Sequence, residues 1–282
     1  MYAGRMWILK TLGVIAAVYL ALAGLMYAFQ DKLLYFPGSR MGKTPQDAEL
    51  PYEDVWLTTR EGTRIHGWFV PREAARLTVL FSHGNGGNVS HRLETLRIFH
   101  DLGASILVYD YSGYGLSEGS PSERATQADA RAAWDWLVRE RGVAPDTIML
   151  LGRSLGGAVS AGLARELAEE GVSPAGFVME GAFTSVPDVA ARIYPWLPVR
   201  LLARFEYDAV KDLANVRVPG LFLHSPQDET VPFEVGVELF QAYEGPKRFV
   251  ELQGSHSWGF MESGRLYIEA MDAFVRDLES GR

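Results

Sequence analysis

The sequence predicts an α/β domain: a mostly parallel, eight-stranded sheet with helices on both faces, carried behind one N-terminal helix of membrane length. Three observations predict it. From residue 52 onward, short apolar runs alternate with helix-period segments, the pattern of strands buried beneath covering helices. The first two runs are joined by a tight turn, which makes the sheet mixed. Residues 11–29 contain no charged side chain. Hydrophobic residues make up 48% and charged residues 22% of the 282, a balance that folds around one large core. A net charge of −8 argues against a nucleic-acid partner, because phosphate contacts draw on excess Lys and Arg. With no cysteine, disulfides, thiolate metal sites and Cys nucleophiles are excluded.

The elements follow in order. As a helix, the 19 uncharged positions 11–29 extend about 28 Å, close to the roughly 30 Å hydrocarbon core of a bilayer. Arg5 and Lys10 precede the stretch, while Asp31 and Lys32 cancel after it. The positive flank stays cytoplasmic, so the rest of the chain belongs on the periplasmic or extracellular side. Tyr27, Tyr35 and Phe36 suit the far interface. A cleaved secretory signal is the competing reading, since Ala21-Leu22-Ala23 fits a small-x-small site. Against it, the apolar run continues to Phe29 without a polar cleavage region. The anchor is assigned to 1–32 and the domain to 33–282. Residues 33–51 read as a linker punctuated by Pro37, Gly38, Gly42, Pro45 and Pro51.

Strands are expected at 52–58, 64–70, 77–82, 105–110, 147–151, 175–180, 218–224 and 247–252. Arg60-Glu61-Gly62 turns the first hairpin. Leu93, Leu96 and Phe99 share one helix face. Ser120-Pro121-Ser122-Glu123 resembles a capping box with Pro121 at the first helical position, opening a helix that would turn Ala125, Ala128, Ala132 and Trp136 inward. Residues 182–215 break the rhythm with short apolar and aromatic helices, Pro198 standing where one would start. They read either as a long crossover or, preferably, as a cap over an apolar pocket with Trp196 among its lining, because inserts at strand carboxyl ends line sites.

The chemistry sits in three distant stretches. Gly152-Arg153-Ser154-Leu155-Gly156 lies between a strand and a helix, where a sharp turn exposes a nucleophilic hydroxyl at the helix amino terminus. A serine needs a base. Of six histidines, His256 is the one that follows the last strand, in Gly254-Ser255-His256-Ser257. The imidazole needs an acid to fix its tautomer. Asp228, just beyond the seventh strand, is the first choice, with Glu180 and the adjacent Glu229 as competitors. Glu180 reads more readily as a structural acceptor under the cap. The oxyanion donors expected are the N–H groups of Leu155 and Asn85, the latter in His83-Gly84-Asn85-Gly86-Gly87, a loop ordered by the His83 side chain. Trp258 near the base and Trp196 in the cap suggest an apolar acyl chain. Arg153 reads as a surface ion pair, with contact to an acidic substrate group as the alternative.

These stretches resemble the membrane-anchored, α/β-hydrolase-domain-containing type of the α/β-hydrolase superfamily. The matching pieces are Leu33-Leu34-Tyr35-Phe36-Pro37 after the anchor, residues 83–88, the run Tyr109-Asp110-Tyr111-Ser112-Gly113-Tyr114-Gly115-Leu116-Ser117-Glu118-Gly119, residues 152–157, Phe183-Thr184-Ser185, and Gly254-Ser255-His256. The resemblance implies the α/β-hydrolase fold and a Ser154–His256–Asp228 triad. Ser112, where the family usually has Arg, and Ser257, where it often has Asn, depart from the pattern outside the triad.

Gly113-Tyr114-Gly115 with Gly119 imitates a dinucleotide loop. Pro121 delays the helix, however, and the next strand ends without an acid, so no cofactor is expected. No P-loop and no metal-ligand spacing are present. Asn88-Val89-Ser90 is a glycosylation triplet, discounted because a glycan there would obstruct the pocket. The expected function is a serine hydrolase cleaving carboxylic-ester or thioester bonds of small acyl or lipid-like substrates. The alternatives are a serine peptidase, with Glu180 as the only anchor for a peptide amino terminus, and an inactive membrane-tethered scaffold.

Overall fold

The computed structural model describes residues 2–281, with side chains from residue 6; Met1, Arg282 and the Arg5 side chain of the positive flank lie outside the described residues. Eight strands form the central sheet: β1 (Glu53–Thr58), β2 (Arg64–Val70), β3 (Thr78–Ser82), β4 (Ser105–Tyr109), β5 (Ile148–Arg153), β6 (Gly176–Glu180), β7 (Gly220–His224) and β8 (Lys247–Glu251). Their spatial order is β1-β2-β4-β3-β5-β6-β7-β8. β2 runs antiparallel to both β1 and β4, and the other neighbours are parallel. Each inner strand has apolar side chains on both faces, which is why it reads as a continuous apolar run. Along β5, Leu150 packs into one core while Met149 and Leu151 pack into the other.

The helices cover both faces. Before the sheet come α1 (Tyr2–Ala28) and α2 (Gln30–Leu34), and then α3 (Leu93–Asp101), α4 (Glu123–Asp135) and α5 (Leu155–Glu169). They continue with α6 (Val186–Ile193), α7 (Val199–Leu202), α8 (Ala209–Leu213), α9 (Phe233–Ala242), α10 (Gly259–Glu262) and α11 (Arg265–Ser280). Leu96 and Phe99 of α3 join Met271, Phe274 and Val275 of α11 in one core. Residues of α4, α5, α8 and α9 build the other.

Three expectations change. First, Ser122 is the cap of α4, its hydroxyl accepting the Ala125 N–H at 3.1 Å, so Pro121 precedes the helix. Of the expected face, Ala132 and Trp136 are buried in the core, while Ala125 and Ala128 are only partly covered; Thr126, Asp129, Ala130 and Ala133 are buried beside them. Asp129, which apolar spacing does not point to, turns inward to accept the Ser112 N–H (2.7 Å) and hydroxyl (2.8 Å). Ser112, one of the departures from the family pattern, thus has its own buried partner.

Second, the stretch after the anchor is no free linker. Tyr35 is buried, sharing a 2.7 Å hydrogen bond with Tyr207, and so does not face a membrane interface. Phe36–Pro37 pairs in parallel with Gly86–Gly87. Asn88 is buried, donating to the carbonyls of Gly38 and Arg40.

Third, within 182–215, α8 buries Ala209 and Leu213 against the body of the domain. Phe183, residues of α6 and α7, and Ala203 and Phe205 after them instead line a cavity.

Candidate active site

Ser154 occupies the single-residue turn between β5 and α5, at φ 54° and ψ −120°, a conformation side chains rarely adopt. Two glycines make the turn feasible by close approach. A Cβ on Gly156 would lie 1.9 Å from the Ser82 carbonyl oxygen, and one on Gly152 would lie 2.4 Å from the Gly156 oxygen. The Ser154 N–H donates to the Glu180 carbonyl at 2.8 Å, tying the bend to β6.

The chain folds so that His256 and Asp228 meet this hydroxyl at the carboxyl ends of β5, β7 and β8. His256 Nε2 lies 2.8 Å from Ser154 Oγ, and its Nδ1 lies 2.6 Å from Asp228 Oδ2. Asp228 is fixed in turn by the N–H groups of Thr230 (2.9 Å) and Val231 (2.8 Å) on Oδ1. His224 Nε2 approaches Asp228 Oδ2 at 3.4 Å, a second imidazole that sequence reasoning missed. Burial pushes the Asp228 carboxyl up, but hydrogen bonds from His224 and His256 and the attraction of His256 outweigh it and hold it well below the usual carboxylate range. Of the competing acids, Glu229 accepts the His256 backbone N–H at 3.0 Å rather than the ring.

Glu180 belongs to a different group. Its carboxylate takes Arg153 Nε at 2.7 Å and the Tyr267 hydroxyl at 2.9 Å, behind the bend rather than under the cap. Arg153 is therefore a buried residue, not a surface one, with its guanidinium 3.9 Å over the Phe260 ring. The expected surface pair fails because β5 is flanked on both sides, so its last side chain is carried into the core.

The loop holding Asn85 is braced from two directions. His83 is buried, and its Nδ1 reaches the Gly84 carbonyl at 2.7 Å; burial pulls its imidazole below the usual range. The Asn85 side chain donates to the Leu34 carbonyl at 2.9 Å, and the Asn85 carbonyl accepts the Phe36 N–H (3.0 Å) and the Tyr114 hydroxyl (2.8 Å). Gly113 to Gly115, the dinucleotide imitation, is a turn against Asp110, whose carboxylate takes the Val89 N–H at 2.9 Å. Leu155 is the first residue of α5, so its N–H has no partner within the helix.

Above Ser154 lies a cavity of about 390 Å³, within the size range of small-molecule sites. Asn85, Ser154 and Leu155 form its floor, and Phe183, Val186, Val189 and Leu197 belong to its cap wall. Trp196 and Trp258, expected to line it, do not: both rings are more than half exposed. Trp196 follows the end of α6 and packs edge-on against Tyr19 and Tyr194 outside. Trp258 precedes α10 with its ring in solvent. In their place stand Met26, Tyr27, Gln30 and Leu33 from the ends of α1 and α2. The sequence signal for them is the apolar run continuing past the anchor into Leu33-Leu34-Tyr35-Phe36.

The fold, the strand-to-helix bend and the order serine, aspartate, histidine define a class of protein, and comparison with known proteins agrees. The serine aminopeptidase S33 family model matches residues 73–206. The chain belongs to the α/β-hydrolase superfamily and is a hydrolase of that class. It is 36% identical over 276 residues to an uncharacterized protein of Mycobacterium tuberculosis, covering 95% of this chain and 96% of the relative. It is 34% identical over 276 residues to the alpha/beta hydrolase domain-containing protein WAV2 of Arabidopsis thaliana, covering 89% and 88%. It is 29% identical over 282 residues to lysophosphatidylserine lipase ABHD12 of Danio rerio, covering 84% and 73%. Among solved structures, the Pyrococcus furiosus esterase Pf2001 has the same fold, with TM-score 0.70 at 17% identity over 87% of this chain and 98% of the esterase. Met6–Ala28, 23 residues, is long and apolar enough to cross a membrane, as an anchor or a signal sequence.

Proposed function

We propose that the protein is a serine hydrolase that cleaves carboxylic-ester or thioester bonds of acyl substrates through an acyl-enzyme on Ser154. The observation that carries this reading is the continuous chain from Ser154 Oγ to His256 Nε2 (2.8 Å) and from His256 Nδ1 to Asp228 Oδ2 (2.6 Å) at the floor of an apolar cavity. His256 takes the Ser154 proton as Oγ attacks the acyl carbonyl carbon. The tetrahedral oxyanion is met by the N–H groups of Leu155 and Asn85, aided by the amino terminus of α5. Collapse expels the alcohol or thiol, which leaves with the proton from His256. Water, deprotonated by the same imidazole, then releases the acid and restores Ser154. Asp228 holds the Nδ1 tautomer and stabilises the imidazolium.

An apolar cavity wall favours an acyl chain over a peptide. The one acid that could anchor a peptide amino terminus, Glu180, already serves Arg153 and Tyr267. The cavity wall also includes the end of α1, which supports an uncleaved anchor. With Lys10 at its start, the anchor carries the catalytic domain on the non-cytoplasmic side. The test is labelling of the full-length protein by a fluorophosphonate, followed by turnover of p-nitrophenyl esters of graded chain length beside amino-acyl anilides. Labelling that vanishes in Ser154→Ala, with ester turnover rising with chain length, is expected. An unlabelled Ser154 in folded protein returns the scaffold reading, and anilide cleavage exceeding ester cleavage returns the peptidase reading.

A further inference from the structure

The N-terminal helix and the cap touch far down the helix. The Tyr19 hydroxyl donates to the Trp196 carbonyl at 3.0 Å, and the two rings meet edge-on at 6.3 Å. Tyr19 stands nine residues before Ala28, the end of the span, so the contact lies about 10–15 Å down the helix axis. Half a hydrocarbon core is about 15 Å. A helix that crosses the bilayer therefore carries the loop between α6 and α7 into the same leaflet. The polar groups at that depth suit it: a tyrosine hydroxyl in an apolar helix and a loop carbonyl, each costly to leave unpaired in lipid, satisfy one another.

The outer surface of the cap agrees. Leu201 is 86% exposed, and Trp196 and Ile193 are about half exposed. The arginines of α6 and α7 and the one that follows them are all paired: Arg192 with Glu238, Arg200 with Asp188, and Arg204 with Asp31 of α2. Near the upper end, Gln30 donates to the Leu202 carbonyl at 2.7 Å and accepts the Arg204 N–H at 2.8 Å, locking helix to cap. Of the five cavity-lining residues that are also exposed, four are apolar or aromatic (Tyr27, Leu33, Phe36 and Ile193) and the fifth is Thr230. The exposed rim of the cavity is thus mostly apolar, and three of its five residues, Tyr27, Leu33 and Phe36, come from the end of α1 and the segment that follows it.

We propose that the cap is seated in the bilayer leaflet beside the N-terminal helix, and that the cavity over Ser154 opens between them to the acyl-chain region. The substrate is then an acyl-chain amphiphile drawn from the leaflet rather than from water. This rests on the hydrolase reading only for the chemistry, not for the seating of the cap. Because the chain has no cysteine, Leu201→Cys in the full-length protein takes a single environment-sensitive nitrobenzoxadiazole label. In phosphatidylcholine–phosphatidylglycerol vesicles, that label is expected to be quenched by nitroxides on the acyl chains and shielded from aqueous iodide. The same label at Ser173→Cys, before β6 at the opposite end of the sheet, is expected to do the reverse. A label at 201 open to iodide and untouched by acyl nitroxide overturns the proposal.

Leu201 is outside the cavity lining, so Leu201→Asp supplies a second readout. Hydrolysis of a long-chain ester held in vesicles is expected to fall at least about tenfold, since an acid replaces a leucine in hydrocarbon. Hydrolysis of p-nitrophenyl acetate in detergent is expected to stay within about twofold. Equal effects in both settings, or no effect in vesicles, overturn the lateral entry. Failure of the unmodified protein on both esters would instead defeat the hydrolase reading and leave the label result standing.

Discussion

Removing the Arg153 guanidinium should damage stability far more than a single lost ion pair at a surface. Arg153 Nε and Nη2 reach the two oxygens of Glu180 at 2.7 and 3.2 Å, Nη2 also reaches Thr95 Oγ1 at 3.2 Å, and both charged groups are buried. In Arg153→Met the side chain still fills the space over Phe260, but the Glu180 carboxylate keeps only the Tyr267 hydroxyl. An uncompensated buried charge costs about 3–5 kcal/mol. For a domain of this size that lowers Tm by roughly 6–20 °C. Adding Glu180→Gln removes the stranded charge and keeps an acceptor for Tyr267. The double variant should therefore recover at least about 2 kcal/mol of the loss, a coupling expected only of groups in direct contact. The assay is thermal or urea unfolding of the unmodified protein, both single variants and the double variant in one detergent. An Arg153→Met cost below about 1 kcal/mol would refute the reasoning. So would a double variant no more stable than the sum of the singles.

Two further expectations concern Ser154 and Asp129. Ser154→Gly abolishes turnover and, by relieving the positive-φ strain at 54°, raises stability by about 1 kcal/mol over the unmodified protein; a lower Tm than that of Ser154→Ala would contradict it. Burial pushes the Asp129 carboxyl up to about 7, against the opposing hydrogen bonds from Ser112. The folded state then holds this proton more tightly than the unfolded chain does. The stabilisation it brings is full below about pH 4 and is lost as pH rises through about 7. Asp129→Asn cannot titrate, so between pH 4 and pH 8 the unmodified protein should lose about 3–4 kcal/mol relative to the variant. Urea midpoints of the two proteins that run parallel across that range would exclude it.

The eight strands were legible because each is a short apolar run between turn residues, and most boundaries fell within two residues. The bend at Ser154 was legible because its glycines answer a local need, the approach of the Ser82 and Gly156 carbonyls to within 1.9 and 2.4 Å of where a Cβ would stand. The face of α4 is legible in part: Ala132 and Trp136 are in the core, but apolar periodicity is blind to Asp129, a carboxylate that turns inward to meet Ser112. Arg153 was misread for the same reason: its charge suggested water, while its place at the end of a central strand put it in the core beside Glu180.

What the amino-acid order determined by itself was local: which stretches are strands, where the chain must bend sharply, and which serine, aspartate and histidine stand at strand ends. Their convergence within 2.8 and 2.6 Å was decided by the sheet, because strand order and register are properties of the whole chain. The same holds for the cavity wall. The apolar run marks Met26, Tyr27 and Leu33 as apolar, but nothing local makes them neighbours of Ser154. They reach it because Tyr35 is buried against Tyr207 and Leu34 is bound to Asn85, contacts between segments separated by 172 and 51 residues. Such contacts form only once the domain has closed around them.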